Sequence, residues 1–303
     1  MTKGMYSNHF RACKWLLETF KSKGQITFKK IASMWKKNTD LSGGLEMQPR
    51  FFHRCKRTLN DDFGINVCCK SCGDYAYYID NPEILKDGNL SEWLLSTLST
   101  NEKLRQCMAL KDYIIPGPIP SGENRLDRVT NAMLVHKKLM FDYQKYGSTE
   151  RKPVELGVCG LILYNRCWYI LGEFEDKKRF TYALNRMWNL EVSEEDFELD
   201  PMFDFKAYFS EFYGIFNSGK PITSIVLRAF GKEAYSMRDL PIHHSQREIG
   251  SGEGYTDFVI DVRPNNELSS YIESRKKYLK VLSPEWYVEE IIRDLDETRG
   301  LYV

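Results

Sequence analysis

The chain of 303 residues is long enough for two or three domains, since a domain typically has about 150 residues. Its hydrophobic fraction of 42% and charged fraction of 28% are those of a folded chain and exclude long disordered tails. No apolar run approaches the roughly 18 residues of a membrane-spanning helix, and the N-terminus lacks a signal-peptide core. We therefore expect a cytoplasmic protein that does not bind membranes.

The formal net charge of +1 hides an uneven distribution. Residues 1–80 carry 14 Lys and Arg against 7 Asp and Glu, a net of +7, so the remainder is −6. Cationic side chains displace the counterions condensed on nucleic acid, and the basic first quarter therefore suggests contact with a polyanion. A lysine-rich solvated surface would give the same charge, so charge alone leaves both interpretations open.

The eight cysteines show no disulfide framework, and we expect most of them to be small, buried and reduced. Cys69 and Cys72 form a CxxC pair. A structural zinc ion needs four ligands, and the nearest histidine, His53, falls on the other side of a predicted helix-to-hairpin boundary. We predict no metal and no cofactor, and we place the pair at a hairpin tip beside Gly73.

Apolar residues at helical spacing predict two short helices in the first 36 residues. They are Phe10, Cys13, Leu17 and Phe20, and then Phe28, Ile31 and Trp35. Pro49 suits the first residue of a third helix, where its missing donor would be unpaired anyway. Residues 65–69 and 75–79, joined by a turn at 70–74, then predict a two-stranded hairpin.

The third helix is predicted to be amphipathic, with its basic side chains opposite Phe51, Phe52, Cys55 and Leu59. A basic helix docked on two others and followed by a hairpin is the order of a winged helix-turn-helix, which lays this helix in the major groove of double-stranded DNA. A solvated basic helix is the alternative. The predicted DNA-binding residues are Gln48, Arg50, His53, Arg54, Lys56, Arg57 and Lys70.

The middle of the chain, residues 83–147, is predicted to be helical apart from a proline-rich break at 116–120. One face of a long helix would carry Leu126, Val129, Met133, His136 and Met140. We interpret His136 as a packed core residue rather than a ligand. From Leu156 the period changes to short strands with tight turns, and an antiparallel meander of this kind is expected to close into a small barrel.

Two segments of this meander resemble the WYL-domain family of regulators. Residues 161–170 end in Trp168, Tyr169 and Ile170, with isoleucine in place of the usual leucine, and residues 182–187 are similar to the family's next strand. Tyr143 and Arg151 stand where the family has an earlier tyrosine and arginine. The chain departs from the pattern at Ala183 and Asn185, which replace an arginine and an aspartate, and at Val158, where a proline is common.

The resemblance implies an Sm-like or SH3-like barrel that binds an anionic effector, either single-stranded nucleic acid or a nucleotide. Arginines could receive phosphate through paired donors, and tyrosine rings could stack on a base. Trp168 could instead fill the core, and Arg186 could form a structural ion pair. The implied effector-binding residues are Tyr143, Arg151, Trp168, Tyr169, Tyr182 and Arg186.

The last 80 residues predict the order βαββαβ with one added helix, which is a ferredoxin-like arrangement. A strand is predicted from His243 to Ile249. Adjacent residues on a strand face opposite ways, so His243 and His244 do not form a catalytic pair in this interpretation.

The chain is therefore predicted to be an α+β multidomain protein with four parts. These are a winged helix-turn-helix (1–82), a helical linker (83–135), a WYL barrel (136–215) and a C-terminal extension (221–303). The predicted function is a homodimeric transcriptional regulator whose barrel senses an effector. An RNA-binding protein with an Sm-like barrel is the alternative, and a nucleic-acid enzyme is disfavoured by the lack of glycine-loop, carboxylate-cluster or triad motifs.

Overall fold

A computed structural model describes residues 8–85, 89–115 and 117–302. Pro116, the first residue of the predicted proline-rich break, lies outside the described residues. The chain divides into two compact units, Met1–Pro116 and Gly117–Val303. The described residues form a mixed α/β protein with several β-sheets. None of the described helices combines the length and the apolar character needed to cross a membrane.

The first unit begins with the helices and the hairpin that the periodicity predicts. The helices are α1 (His9–Lys23), α2 (Phe28–Lys37), the short α3 (Thr39–Ser42) and α4 (Pro49–Asp61), and the strands are β1 (Val67–Cys69) and β2 (Tyr77–Ile79). The Thr27 side chain accepts a hydrogen bond from the Lys30 N–H and caps α2. Pro49 is the first residue of α4, as predicted.

Aromatic side chains pack across the core of this unit. The Phe52 ring of α4 lies 5.2 Å from Phe28 and 4.7 Å from Tyr77, measured between centroids. Ile26 also pairs with Tyr77 of β2, exchanging backbone hydrogen bonds of 3.0 and 2.8 Å. The residue between α1 and α2 therefore ties the hairpin to the helices, a contact that the sequence did not reveal.

Helix α5 (Leu90–Gln106) packs along α1 through its buried residue Leu95. Lys14 of α1 donates to Ser96 at 3.0 Å, and Lys21 pairs with Glu92 at 2.6 Å. The opposite side of α5 exposes large apolar side chains, namely Leu90, Trp93, Leu94, Leu98 and Leu104.

The second unit opens with α6 (Leu126–Leu134) and a five-stranded antiparallel sheet. Its strands are β3 (Lys137–Tyr143), β4 (Lys152–Tyr164), β5 (Cys167–Glu173), β6 (Arg179–Ala183) and β7 (Met187–Asp196), in the order β6-β5-β4-β3-β7. The prediction of β4 and β5 around the turn at Asn165 is confirmed, whereas β3 was not predicted.

The predicted long helix through His136 and Met140 is wrong. Helix α6 ends at Leu134, and His136 adopts a positive φ of 55° in an exposed turn, so it is not a packed core residue. Leu139 and Phe141 are two residues apart and are both buried on one face of β3, which is the spacing of a strand. The apolar residues that suggested a helix therefore continue into a strand.

Two glycines let aromatic rings lie directly on β4. A Cβ atom at Gly157 would lie 1.9 Å from the Phe197 ring, and one at Gly160 would lie 2.5 Å from the ring of Phe205 in the short helix α7 (Phe205–Phe209). Side chains at these two positions are incompatible with the packing.

The chain then continues in the predicted order βαββαβ plus a helix. The elements are β8 (Thr223–Phe230), α8 (Lys232–Asp239), β9 (Arg247–Gly252), β10 (Tyr255–Val262), α9 (Asn266–Ser274), β11 (Leu279–Ser283) and α10 (Glu285–Gly300). The sheet order is β11-β8-β10-β9, all antiparallel. The core includes Leu227, Phe258 and Tyr287.

The predicted strand from His243 is also wrong, since β9 begins at Arg247. His243 and His244 lie in a preceding turn, with ring centroids 4.2 Å apart. Both Nε2 atoms lie within hydrogen-bonding distance of the Ser210 carbonyl, at 3.0 and 2.8 Å. Within this turn the Ile242 N–H donates to the Gln246 side chain at 2.9 Å. The two imidazoles point to the same carbonyl rather than in opposite directions.

Candidate nucleic-acid interface and effector site

Two arginines and a histidine share the outer side of α4. Arg50, His53 and Arg57 are exposed, while Phe51, Phe52, Cys55 and Leu59 are buried on the opposite side. Within the described residues, neither Arg50 nor Arg57 forms an ion pair. The arrangement presents free guanidinium groups to solvent on a helix whose other side is fixed in a core.

Arg54 and Lys56 lie differently from the sequence prediction, which placed all five basic side chains on the outer side. The Arg54 guanidinium lies 5.1 Å from the Phe51 ring centroid, and its Nε and Nη2 atoms are buried. The Lys56 ammonium lies 5.7 Å from the Tyr77 ring centroid. Both side chains are half-buried, because these positions border the apolar side of the helix.

Gln48 and Lys70 are both exposed. Gln48 is the N-cap residue of α4. Lys70 begins the hairpin loop, and its backbone N–H donates to the Ala76 carbonyl at 3.0 Å. Cys69 and Cys72 are exposed in the same hairpin, which agrees with the predicted hairpin tip.

Arg186 is held between backbone and aromatic groups in the 3-10 turn Leu184–Arg186, which separates β6 from β7 and interrupts the strand expected over residues 182–187. Its Nε donates to the Gln144 carbonyl at 2.7 Å. Its guanidinium carbon lies 3.5 Å from the ring centroid of Tyr146 and 5.9 Å from that of Tyr143. Its Nη1 is buried and has no hydrogen-bond partner among the described residues. Arg186 thus retains one unused donor and forms no ion pair within this set.

Tyr143 and Tyr182 pack together beside this arginine. Their ring centroids are 4.8 Å apart, and the Tyr143 hydroxyl accepts a hydrogen bond from the Ala183 N–H at 3.3 Å. Burial raises the pKa of Tyr143, and burial with the neighbouring Tyr143 raises the pKa of Tyr182 to about 12. Both hydroxyls therefore stay protonated near neutral pH and can donate hydrogen bonds.

Trp168 and Tyr169 point to opposite faces of β5. Trp168 packs against the core formed by the sheet and α6, and Tyr169 lies on the other face, 6.2 Å from the Phe216 ring. Burial, followed by the nearby Cys167, raises the pKa of Tyr169 to about 12. Tyr169 thus belongs with the groups near Arg186, and Trp168 serves mainly as core.

Tyr146 and Cys167 are members of this group that the sequence reasoning missed. Tyr146 is exposed although its ring stacks on Arg186. Tyr146 and Cys167 both perturb the pKa of Tyr169. The sequence feature that could have identified Tyr146 is its position three residues after Tyr143.

Arg151 is paired with a different aromatic residue. Its guanidinium lies 4.2 Å from the ring centroid of Trp188. Trp188 also lines a pocket of about 420 Å³ that includes Arg125 and Arg128. Arg151 is therefore associated with Trp188 rather than with the tyrosines around Arg186.

A second cluster unites residues from α1 and α4 that were not predicted to act together. One donor atom each from His9, Cys13 and Cys55 lies within 4.8 Å of the other two. Both cysteines are buried and His9 is half-buried. The hydrogen bond between the two thiols raises the pKa of Cys13 and lowers that of Cys55, and His9 lowers the pKa of Cys55 further.

The fold and these sites define a mixed α/β protein in which a basic helical unit precedes a sheet carrying an arginine–tyrosine cluster. Residues 124–192 match the family model described as the WYL domain. This part of the chain is a WYL domain, and the resemblance seen in the sequence is confirmed. No curated protein matches the sequence.

Two solved structures are similar to this chain. One is the proteasome accessory factor B/C (PafBC) of Arthrobacter aurescens, with 18% identity, a TM-score of 0.36 and coverage of 96% of this chain and 46% of that one. The other is the crystal structure of a CRISPR Cas-related protein, with 13% identity, a TM-score of 0.39 and coverage of 99% of this chain and 84% of that one. The chain thus spans just under half the length of the PafBC structure.

Proposed function

We propose that the protein is a DNA-binding transcriptional regulator whose WYL domain senses an anionic effector. The observation that carries the proposal is the exposed cationic side of α4. Arg50, His53 and Arg57 face solvent on a helix anchored by aromatic residues. The hairpin that follows adds the exposed Lys70. In a winged helix-turn-helix, such a helix contacts base edges and the flanking groups contact phosphate.

The first experiment measures duplex-DNA binding by fluorescence anisotropy across a salt series. If Arg50 and Arg57 contact phosphates, Arg50→Ala and Arg57→Ala each weaken binding and lower the salt slope by about 1. Lys103→Ala removes the same charge from the exposed side of α5 and serves as the matched control. Equal losses in all three variants would contradict a specific role for α4. Arg54→Ala is less suitable, because it also removes packing on Phe51.

The proposed effector site combines Arg186 with Tyr143, Tyr146, Tyr169 and Tyr182. The buried Nη1 of Arg186 supports anion binding, because burying a guanidinium donor without a hydrogen-bond partner costs free energy that a bound anion would recover. Phenol rings beside it can stack on a base. Trp168 acts as core packing in this proposal, and Arg151 belongs to the neighbouring Trp188 pocket.

The alternative function is RNA binding through an Sm-like barrel without regulation. The five-stranded antiparallel sheet and its tyrosines are compatible with it. Salt titrations with duplex DNA and with single-stranded RNA distinguish the two, since the regulator requires tight duplex binding that depends on α4. We propose binding rather than catalysis, and nuclease activity abolished by a carboxylate substitution would overturn this.

The proposal also covers the domain organisation, the location and the oligomeric state of the protein. We assign residues 1–82 to a winged helix-turn-helix, 83–135 to a linker, 136–215 to an Sm-like or SH3-like barrel and 221–303 to a ferredoxin-like extension. The sheet order β11-β8-β10-β9 with α8 and α9 as crossover helices supports the last of these. We also propose a cytoplasmic homodimer.

A further inference from the structure

The imidazole of His9 lies between two thiols that come from different helices. Its Nδ1 is 3.7 Å from the Sγ of Cys55, and its Nε2 is 4.0 Å from the Sγ of Cys13. His9 and Cys13 are one turn apart on α1, while Cys55 is on the buried side of α4. We propose that these three residues bind one soft metal ion, Zn²⁺ or Cu⁺, between α1 and α4.

The separations of the donor atoms suit such an ion. Metal–sulfur bonds of about 2.3 Å and metal–nitrogen bonds of about 2.0 Å place tetrahedral ligands roughly 3.5–3.8 Å apart. With Nδ1 as the histidine ligand, the distance of 3.7 Å to the Sγ of Cys55 already fits this range. One ligand atom from each of the three residues lies within 4.8 Å of the other two, so the remaining distances must shorten by up to about 1 Å. Side-chain movements of this size would bring the three ligands around one ion.

The surroundings hold the imidazole in position. His9 Nε2 lies 3.0 Å from the Thr58 hydroxyl, so with Nδ1 as the ligand the other ring nitrogen would donate to Thr58. Metal-binding histidines commonly have a second partner of this kind. The buried Glu102 carboxylate accepts from the N–H groups of His9 and Arg11, at 2.9 and 3.0 Å, and fixes the first turn of α1.

The donor set selects the class of metal. Two thiolates and one imidazole favour Zn²⁺ and Cu⁺, whereas Mg²⁺ and Ca²⁺ require oxygen ligands. The thiolates of Cys13 and Cys55 would neutralise the charge of a divalent ion in this buried place. The metal-ligating cluster found in the described residues has three members. Three ligands complete the coordination of Cu⁺, whereas Zn²⁺ would need a water molecule as its fourth ligand.

Buried cysteines often serve as small apolar core residues, and the histidine is what distinguishes this cluster. The Nδ1 atom of the half-buried imidazole faces the Sγ of Cys55 while Nε2 lies within hydrogen-bonding distance of Thr58, a polar arrangement that purely apolar packing would not require. The CxxC pair offers a contrast, because Cys69 and Cys72 are exposed and belong to no such cluster among the described residues. The site is therefore distinct from the CxxC pair, for which the sequence predicted no metal.

A bound ion would also fix α4 relative to α1. Cys55 lies between Arg54 and Lys56 on the basic helix, so the ion would stabilise the orientation in which Arg50 and Arg57 face outward. This consequence rests on the proposed DNA-binding function, whereas metal binding itself does not. Direct metal binding is accordingly the test.

The experiment titrates reduced, metal-free full-length protein under anaerobic conditions against a chromophoric Zn²⁺ indicator and, separately, a Cu⁺ chelator. We expect one ion per chain in at least one series. Cys13→Ser, Cys55→Ser and His9→Gln should each weaken binding by about tenfold or more, since loss of even an outer-sphere partner costs that much. The double variant Cys69→Ser/Cys72→Ser should bind as the unmodified protein does.

Folding and specificity controls make the result decisive. Far-UV circular dichroism checks each variant, and His9→Gln keeps the test valid if a buried cysteine variant unfolds, because His9 lies near the surface. Cobalt(II) gives an independent readout, since its thiolate charge-transfer absorption should disappear in the cysteine variants. The proposal is overturned if neither ion competes with the indicators, if folded His9→Gln binds with unchanged affinity, or if binding is lost in the hairpin double variant. A Cys13–Cys55 disulfide that resists the reductant and leaves the protein unable to bind metal would equally overturn it.

Discussion

Arg186 is the side chain on which the effector proposal depends most directly. Its Nε is satisfied by the Gln144 carbonyl, and its Nη1 is a buried donor without a partner among the described residues. Arg186→Ala should weaken binding of a short labelled single-stranded oligonucleotide by about tenfold, because a hydrogen bond to a charged group contributes roughly 1.5–3 kcal/mol. Fluorescence anisotropy measures the change.

A matched variant separates local charge from a specific contact. Lys178→Ala removes an exposed cation that pairs with Asp176 in the same sheet region, and it should leave oligonucleotide affinity unchanged. Duplex-DNA binding should remain near that of the unmodified protein in both variants. If Arg186→Ala lowers thermal stability and both affinities together, the arginine has a folding role and the effector assignment is wrong.

Gly157 offers a residue-scale test of how the WYL domain packs. A Cβ there would lie 1.9 Å from the Phe197 ring, so Gly157→Ala should destabilise the protein by about 1–3 kcal/mol through overpacking. Thermal unfolding measures the loss. Gly250→Ala is the control, because a Cβ at Gly250 meets nothing within 4 Å. Equal melting temperatures for the two variants would show that the ring does not rest on this strand.

At the scale of elements, α5 carries a surface suited to a second copy of the chain. Leu95 faces the core, whereas Leu90, Trp93, Leu94 and Leu98 are exposed together on the other side. A contiguous exposed apolar surface favours protein association, and a regulator that reads two half-sites needs two basic helices. Leu98→Glu should therefore convert a dimer to a monomer, as measured by sedimentation or light scattering.

The control for this prediction lies on the same helix. Lys103 is exposed but points away from the apolar side, and Lys103→Glu should leave the dimer intact. A protein that is monomeric without substitution, or a Leu98→Glu variant that remains dimeric, would exclude α5 as the contact.

The elements that the sequence predicted best are those whose periodicity is unambiguous. Helix α4 begins at Pro49 and buries Phe51, Phe52, Cys55 and Leu59, as its spacing indicated. Strand β3 was missed because Val129, Met133 and His136 continue into Met140 at helical spacing, while the burial of Leu139 and Phe141 depends on neighbouring strands. The spacing of apolar residues in this segment fits both a helix and a strand, so local spacing alone does not decide between them.

The candidate sites differ in the same way, since local spacing predicts positions on one helix but not contacts between distant segments. The exposed positions on α4 follow from helical geometry, and Arg54 deviates because its long side chain folds over Phe51. The cluster around Arg186 joins Tyr143 and Tyr146, which are three residues apart, to Tyr169 and Arg186 from later segments, so the role of Tyr146 was found only when the strands were paired. The His9 cluster spans 46 residues of sequence separation and has no local motif.

For the whole molecule, regulation requires the effector and the operator to influence each other's affinity. Any factor by which the effector changes the dissociation constant for DNA must equal the factor by which DNA changes that for the effector, since both describe one coupling free energy. Typical couplings are about 1–3 kcal/mol, or roughly 5–150-fold. The coupling is measurable with duplex DNA and a short single-stranded oligonucleotide as the two ligands.

The test measures each affinity in the absence and in the presence of saturating amounts of the other ligand. We expect reciprocal factors in the unmodified protein. In Arg186→Ala and in Arg57→Ala the two factors should change together and stay equal to each other, since both describe the same coupling free energy. Lys178→Ala and Lys103→Ala should retain both. If each ligand binds tightly while neither changes the affinity for the other, the two units act independently. That result would favour a nucleic-acid-binding protein without regulation over a sensor.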